Sequence, residues 1–108
     1  MAYSVRFTRA AARDLEELCA WIAEHDSPAK ALHVLDRIVS AAEAAGKSPH
    51  SGARPPELAP GMEAEYRQVF FKPYRVIYEV GGNELIVHLI ADGRRNLQAL
   101  LLRRLAEG

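Results

Sequence analysis

The 108-residue sequence predicts an α+β domain in which a helical hairpin covers one face of an antiparallel sheet. Apolar residues recur at helical spacing through the first half of the chain, whereas the second half holds three strand-like segments separated by short turns. An additional strand is expected before the helices and a short helix after the last strand. A chain of this length has enough apolar residues for one core, so we expect residues 1–108 to form a single domain.

The N-terminal half is predicted to hold one strand and two helices. Apolar and polar residues alternate over residues 3–8, the period-2 pattern of a half-buried strand. Helical spacing then predicts a helix over about residues 9–25, with Thr8 as its N-cap. Ser27-Pro28 pairs a capping hydroxyl with proline at a first helical position, and the second helix is expected to end near Gly46. Two helices joined by so short a turn form an antiparallel hairpin.

The C-terminal half is predicted to form a meander and a short helix. Residues 47–61 hold four of the six prolines, which predicts an ordered connection without regular structure. Strands are expected over about residues 64–71, 74–80 and 84–92, the last two joined by a Gly81-Gly82-Asn83 turn. Four leucines predict the final amphipathic helix, with Arg103 and Arg104 on or near its polar side. The sheet face away from the hairpin is expected to stay open.

Composition and motifs exclude several classes of protein. No apolar run approaches the roughly 20 residues that span a bilayer, and the N-terminus lacks a basic-then-apolar leader, so a cytoplasmic protein without a membrane partner is expected. Cys19 is the single cysteine, and no Cys or His residues stand at metal-ligand spacing, so neither a disulfide, a metal site nor a cofactor is predicted. The motifs of nucleotide-fuelled enzymes, serine hydrolases and zinc proteases are missing.

The charge is distributed unevenly although the formal net charge is zero. Residues 1–65 carry 7 Lys and Arg against 10 Asp and Glu, whereas residues 66–108 carry 7 against 4. This cationic excess is too small for a protein that binds duplex DNA alone through many phosphate contacts. Any nucleic-acid contact is therefore expected to be local or shared with a partner.

Five polar residues of the predicted sheet are candidates for function. Arg94 and Arg95 follow the last strand, and their planar guanidinium groups suit phosphate, carboxylate or the acidic groups of a partner protein. Arg67 and Arg75 occupy strand positions opposite apolar neighbours, where they either converge on the open face or form ion pairs at the rim. His88 in the last strand is either a general base for RNA cleavage or, the favoured interpretation, a partly buried structural histidine.

Five short segments of the chain occur in a recognisable order and spacing. They are YSVRFT at residues 3–8, AARDL at residues 11–15, PHSG at residues 49–52 with Arg54, YRVIYEV at residues 74–80 and DGRR at residues 92–95. This combination resembles the RelE/ParE superfamily of type II toxins. The resemblance covers nearly the whole chain and implies the same helical hairpin on an antiparallel sheet. It also implies one of two activities, because ParE-like members poison DNA gyrase and RelE-like members cut messenger RNA in the ribosomal A site.

The C-terminal segment favours the ParE-like subgroup. The RelE-type arginines would correspond to Arg67 or Arg75 and Arg94, but residues 96–102 offer leucines where the RelE-type tyrosine is expected. Residues 93–101 are instead similar to ParE-like chains. The resemblance thus implies a toxin without catalytic residues that stabilises the gyrase–DNA cleavage complex and blocks replication. The alternatives are a RelE-like endoribonuclease acting on ribosome-bound mRNA, and an inactive homologue that only binds its antitoxin.

The resemblance also implies two binding surfaces. The target would be bound by Arg94, Arg95, Arg103 and Arg104. A cognate ParD-like antitoxin would place a flexible C-terminal segment in a groove along the helices, and the residues predicted to contact it are Trp21, Leu32, Leu35 and Arg75. Alternatively, the apolar helix residues among these all belong to the core. Operator DNA would be contacted only through the antitoxin.

Overall fold

The computed structural model describes residues 2–58 and 65–107. The elements are β1 (Ser4–Phe7), α1 (Arg9–His25), α2 (Pro28–Lys47), β2 (Glu65–Phe71), β3 (Tyr74–Gly81), β4 (Glu84–Asp92) and α3 (Leu97–Ala106). Their order and type confirm the predicted fold class. The expected start of β2 at residue 64 lies outside the described residues. The connection after α2 is not wholly irregular, because Pro49–Ser51 form one turn of 3-10 helix.

Local side-chain caps explain where the helices begin. The Thr8 hydroxyl accepts a hydrogen bond from the backbone N–H of Ala11 at 3.1 Å, and the Ser27 hydroxyl accepts one from Lys30 at 3.0 Å. Each cap satisfies a donor that would otherwise have no partner within the helix. Both predicted starts are therefore confirmed. Asn96 caps α3 in the same way, through a 3.3 Å bond from the N–H of Ala99.

The four strands form one sheet in the order β1-β4-β3-β2. β1 runs parallel to β4, and the other pairs are antiparallel, as the predicted meander requires. The β3–β4 register shifts at one place: Ile77 pairs with Leu89 and Tyr78 with Val87, so His88 has no partner opposite it. This β-bulge bends β4 beside α1 and α3 and leaves backbone groups that need other hydrogen-bond partners.

The main core lies between the sheet and the helical hairpin. It includes strand residues Val76, Tyr78 and Val87 packed against helix residues such as Ile22 and Ile38. Each large apolar side chain buried there contributes about 1.5–3 kcal/mol. The Tyr78 hydroxyl lies fully inside this core and donates a 2.7 Å hydrogen bond to the carbonyl of Pro49, which ties the segment after α2 to the sheet.

The expectation of an open outer face is wrong. α3 folds back over β4, and its Leu97 and Leu101 pack with Ile77, Leu89 and Ala91 in a second apolar cluster. The leucines of α3 and the apolar outer residues of β3 and β4 both lose contact with water in this arrangement, which drives the docking. Within residues 2–58 and 65–107, no helix is long and apolar enough to cross a membrane.

Candidate functional site

A tight turn after β4 exposes the predicted arginine pair. The Asp92 carboxylate accepts hydrogen bonds from the backbone N–H of Arg94 at 2.9 Å and from its guanidinium at 3.0 and 2.6 Å. Hydrogen bonding by Arg94 lowers the pKa of Asp92 below its usual value. The chain passes close to the β2–β3 turn here, since the N–H of Gly93 donates to the carbonyl of Pro73 at 2.8 Å. The Arg94 side chain is 82% exposed.

Arg95 faces a polar cleft between α1, β4 and α3. The cleft has a volume of about 310 Å³, and its charged lining residues are Arg13, Asp14, Glu17, Arg95, Arg103, Arg104 and Glu107. Arg13, Arg95 and Arg103 are exposed. None of these three has a carboxylate within 4.0 Å among the residues that the structure describes. Three guanidinium groups are thus available to an external partner. We name this surface the arginine cleft.

Arg104, in contrast, is bonded inside the fold. Its guanidinium donates to both oxygens of Asp14 at 2.8 and 2.9 Å and to the backbone carbonyl of His88 at 2.7 Å. The second group freed by the bulge, the N–H of Ile90, donates to Asp14 at 3.1 Å. Hydrogen bonding to Asp14 raises the pKa of Arg104. Arg104 therefore joins α3 to α1 across the bulge and does not lie on a polar side of α3 as expected, while its use in target binding stays a prediction.

Arg67 and Arg75 do not converge, because the register places them on opposite faces of the sheet. Arg67 pairs with Tyr78 on the hairpin face, whereas Arg75 precedes core residue Val76 and so points the other way. Arg75 donates to both oxygens of Glu57 at 2.6 and 2.7 Å and to Gln68 at 2.8 Å. Of the two interpretations offered for these arginines, ion pairing is confirmed and convergence is wrong.

Arg67 and Arg75 are each held in an ion pair, so little of either guanidinium group is available to an external partner. Arg67 lies 2.8 Å from Glu65 and donates to the carbonyl of Gly52 at 3.0 Å. The hydrogen bond from Arg75 is the main cause of a lowered pKa at Glu57, and the bond from Arg67 has the same effect on Glu65. These contacts hold the proline-rich connection against β2 and β3.

His88 is a partly buried residue of the outer face, as favoured from the sequence. Its Nε2 lies 2.9 Å from the Glu79 carboxylate, and its ring meets the edge of Tyr66 with centroids 5.8 Å apart. A histidine beside a carboxylate is an arrangement that can transfer protons. In the described part of the chain, no group of three or more His, Cys, Asp or Glu residues is placed to hold a metal ion.

An apolar groove of about 580 Å³ lies on the other side of α1, between α1, α2 and β1. Its lining residues are Phe7, Ala12, Leu15, Glu16, Cys19, Leu35 and Val39. Leu35 therefore faces the groove as predicted, and the exposed Leu32 stands one turn earlier on α2. Burial raises the pKa of the Cys19 thiol, consistent with the packing role expected of it. Trp21 and Arg75 are not among the lining residues. We name this surface the apolar groove.

Sequence reasoning missed Arg13 and Asp14 as parts of the arginine cleft. A signal was present on α3: Arg104 stands three residues after Leu101 and seven after Leu97, so it belongs to the buried stripe of that helix. A charge in such a stripe predicts a buried carboxylate partner. Asp14 stands next to the core residue Leu15 and is the corresponding acid on α1.

Comparisons with known proteins assign the family. The family model described as "ParE toxin of type II toxin-antitoxin system, parDE" matches residues 5–97. The chain is 31% identical over 94 residues to toxin ParE3 of Caulobacter vibrioides, covering 87% of this chain and 90% of that protein.

Two solved toxin–antitoxin systems have a similar fold. The chromosomal ParDE system from P. aeruginosa superposes with a TM-score of 0.70 at 26% identity, covering 84% of this chain and 96% of the other. The RelBE2 toxin–antitoxin complex from Mycobacterium tuberculosis shares the fold, with a TM-score of 0.61 at 23% identity and coverage of 85% and 92%. On these matches, and with the strand, helix and arginine arrangement described above, the chain belongs to the ParE toxin family of type II toxin–antitoxin systems.

Proposed function

We propose that this ParE-family toxin inhibits DNA gyrase by binding and stabilising its DNA cleavage complex, and so blocks replication. The observation that carries the proposal is the accessible arginine surface after β4. Arg94 is 82% exposed, and Arg95 and Arg103 are exposed close by in sequence and fold. Exposed guanidinium groups on a rigid strand end bind acidic groups without needing to carry out a reaction. A target in the bacterial cytoplasm agrees with the expected location.

The outer face supports binding over RNA cleavage. A ribonuclease needs several cations around one scissile phosphate, but Arg67 and Arg75 point to opposite faces and are held by Glu65 and Glu57. The segment where a RelE-like enzyme would carry its tyrosine is used for packing, since Leu97 and Leu101 of α3 are buried against the sheet. These observations favour the ParE-like activity.

The proposed antitoxin occupies the apolar groove. The solved relatives are toxin–antitoxin systems, and the groove offers apolar side chains from α1, α2 and β1 to a segment that folds as it binds. Leu35 lines this groove, and Leu32 extends its rim. The partner is a ParD-like protein encoded beside the toxin. Contacts to operator DNA come from the antitoxin in the assembled complex.

A gyrase cleavage assay tests the activity. Purified toxin is added to gyrase and supercoiled plasmid, and the reaction is stopped with detergent and protease so that trapped breaks appear as linear DNA. Linear DNA that accumulates with toxin, with loss of supercoiling, supports the proposal. Arg94→Ala with Arg95→Ala is expected to abolish the effect, while the exposed Arg37→Ala on α2 serves as the matched control. Intact plasmid with unimpaired gyrase would reject gyrase as the target.

One observation favours the ribonuclease alternative. His88 and Glu79 form a proton-transfer pair 2.9 Å apart, with the Tyr66 ring beside it. A ribonuclease using this pair would cut mRNA on translating ribosomes, and His88→Gln would reduce the rate. Because the pair is largely covered, we expect no cleavage above background from the wild-type protein. Cleavage that His88→Gln abolishes would establish the alternative.

A further inference from the structure

We propose that the target surface extends onto α1, where Arg13 lines one cleft with Arg95 and Arg103 and Trp21 stands on the same side of the helix, and that this surface binds an acidic protein surface. The inference rests on the proposed toxin function and names the kind of partner for its binding site. It also moves Trp21 from the predicted antitoxin contact to the target contact. The two partners would then bind opposite sides of the same helix.

Helical geometry separates the two sides of α1. Successive residues rotate by about 100°, so Ala12, Glu16 and Cys19 share one flank, and these residues line the apolar groove. Asp14 and Glu17 are displaced from that flank by most of a half turn and line the arginine cleft, with Arg13 at its outer rim.

Trp21 belongs to the cleft side. It stands three residues after Leu18 and four after Glu17, and both of these residues line a 210 Å³ extension of the cleft beside Arg95 and Asp92. It is two residues, or about 200°, away from Cys19 in the apolar groove. An antitoxin segment lying in the groove therefore does not reach it directly.

Trp21 has the properties of an interface anchor. Its side chain is 58% exposed, although tryptophan is usually covered in a small domain. The indole stacks on His25 with ring centroids 4.3 Å apart and planes 15° apart, and His25 Nδ1 lies 2.9 Å from the carbonyl of Trp21. A side chain already held in one position loses little freedom on binding. Tryptophan and arginine are also the residue types most enriched among those that dominate binding energy at protein interfaces.

The charges of the cleft fit a protein better than DNA. Three exposed arginines, Arg13, Arg95 and Arg103, alternate with Glu17 and Glu107, while the charge of Arg104 is matched by Asp14. Duplex DNA presents a continuous row of phosphates, which the two glutamates would repel. A protein surface with a few carboxylates and an apolar contact for Trp21 complements this mixture. The bound surface is thus acidic protein, which in the proposed function is part of gyrase.

Paired variants test the inference. Trp21→Ala is compared with Phe70→Ala, which removes another half-exposed aromatic side chain, and Arg13→Glu is compared with Arg37→Glu, an exposed arginine of α2. Each is assayed for growth arrest without antitoxin, for gyrase capture, and for affinity for the antitoxin encoded beside the toxin. We expect Trp21→Ala and Arg13→Glu to weaken arrest and gyrase capture at least about tenfold, with antitoxin affinity and thermal unfolding unchanged. Trp21→Phe should restore much of the activity, and both control variants should match wild type.

The outcomes separate the inference from the function. If wild type arrests growth and both cleft variants arrest it equally well, the inference is wrong and the toxin function stands. If wild type neither arrests growth nor traps cleaved DNA, the proposed function fails and the inference with it. Loss of antitoxin affinity in Trp21→Ala would assign the tryptophan to the antitoxin instead. Binding of wild type to free duplex DNA at physiological salt, abolished by Arg13→Glu, would replace the protein partner with DNA.

Discussion

Two aspartate–arginine pairs in this toxin have the same chemistry and different surroundings. Asp92 and Arg94 are two residues apart in an exposed turn, and the Arg94 side chain is 82% accessible. Asp14 and Arg104 are 90 residues apart, belong to α1 and α3, and leave only 18% and 19% of their side chains exposed. Both arginines donate to two carboxylate oxygens.

The two pairs differ in the backbone groups to which they also form hydrogen bonds. Asp14 and Arg104 also bind the N–H of Ile90 and the carbonyl of His88, the two backbone groups beside the β-bulge. Without them, those groups would be left without partners in a partly buried place. The Arg94 guanidinium is exposed to water and salt, which weaken its attraction to Asp92. An arginine in the one setting stabilises the fold, and in the other it is free to meet a partner.

Asp14 and Arg104 form the inner pair, and Asp92 and Arg94 the outer pair. Removing the inner pair should have the largest effect on stability. Arg104→Ala removes the donor of the His88 carbonyl and leaves Asp14 with the N–H of Ile90 but without its charged partner, so we expect a loss of about 2–4 kcal/mol in the free energy of unfolding. Urea unfolding followed by circular dichroism measures it. The neighbouring exposed Arg103→Ala is the control and should stay close to wild type. Equal stabilities for the two variants would remove the distinction between the inner and outer pairs.

Tyr78→Phe tests whether a buried hydrogen bond between uncharged groups of distant segments also stabilises the fold. The hydroxyl is buried and donates to Pro49 at 2.7 Å, so its removal should cost about 1–2 kcal/mol. Tyr74→Phe is a matched control, because the Tyr74 hydroxyl makes no hydrogen bond within residues 2–58 and 65–107. Thermal unfolding of the two variants decides the point. A larger loss in Tyr74→Phe would contradict the assignment of the Pro49 contact.

The Glu57–Arg75 pair is about as buried as the Asp14–Arg104 pair, and its contribution should appear as a dependence of stability on pH. The pKa of Glu57 is held below its ordinary value of 4.5, so the pair contributes stability that is fully present above about pH 4.5 and is lost as the pH falls through the folded-state pKa. Glu57→Gln should lower the free energy of unfolding at pH 7 by on the order of 1 kcal/mol. The variant should also lose less stability than wild type between pH 5 and pH 3, in urea titrations at about these values. Parallel pH profiles would show that the pair contributes nothing.

The elements of the fold could be predicted because their signals are local. Thr8 and Ser27 each cap a helix through a residue three positions away, and the alternation of strands is visible within seven or eight residues. The faces taken by Arg67 and Arg75 could not be predicted without the strand register. The docking of α3 on the sheet likewise depends on contacts between distant segments, and this is why the outer face was expected to be open.

The candidate site was predictable to the same extent. Exposure of Arg94 follows from the Asp92-Gly93 turn, and Leu35 faces the apolar groove because of its place in the stripe of α2. The sequence could not predict which surface Trp21 of α1 adjoins. A helical pattern shows which residues share one side of a helix, but not which other elements pack next to that side. The ion pair between Asp14 and Arg104 could not be predicted either, because the two residues are 90 positions apart in the sequence.

The smallest effect on stability is expected at the outer pair, where the effect on function should be clear. Arg94→Ala removes a solvated guanidinium, so the midpoint of thermal unfolding should not change measurably, while trapping of gyrase-cleaved DNA falls. Asp92→Asn separates two roles of the pair, because the amide oxygen still accepts the N–H of Arg94 but the ion pair is lost. If Asp92 holds the guanidinium in its binding position, Asp92→Asn should reduce trapping less than Arg94→Ala does. If the unfolding midpoint of Arg94→Ala fell as far as that of Arg104→Ala, both pairs would stabilise the fold. The exposure of Arg94 would then be no argument that it binds a target.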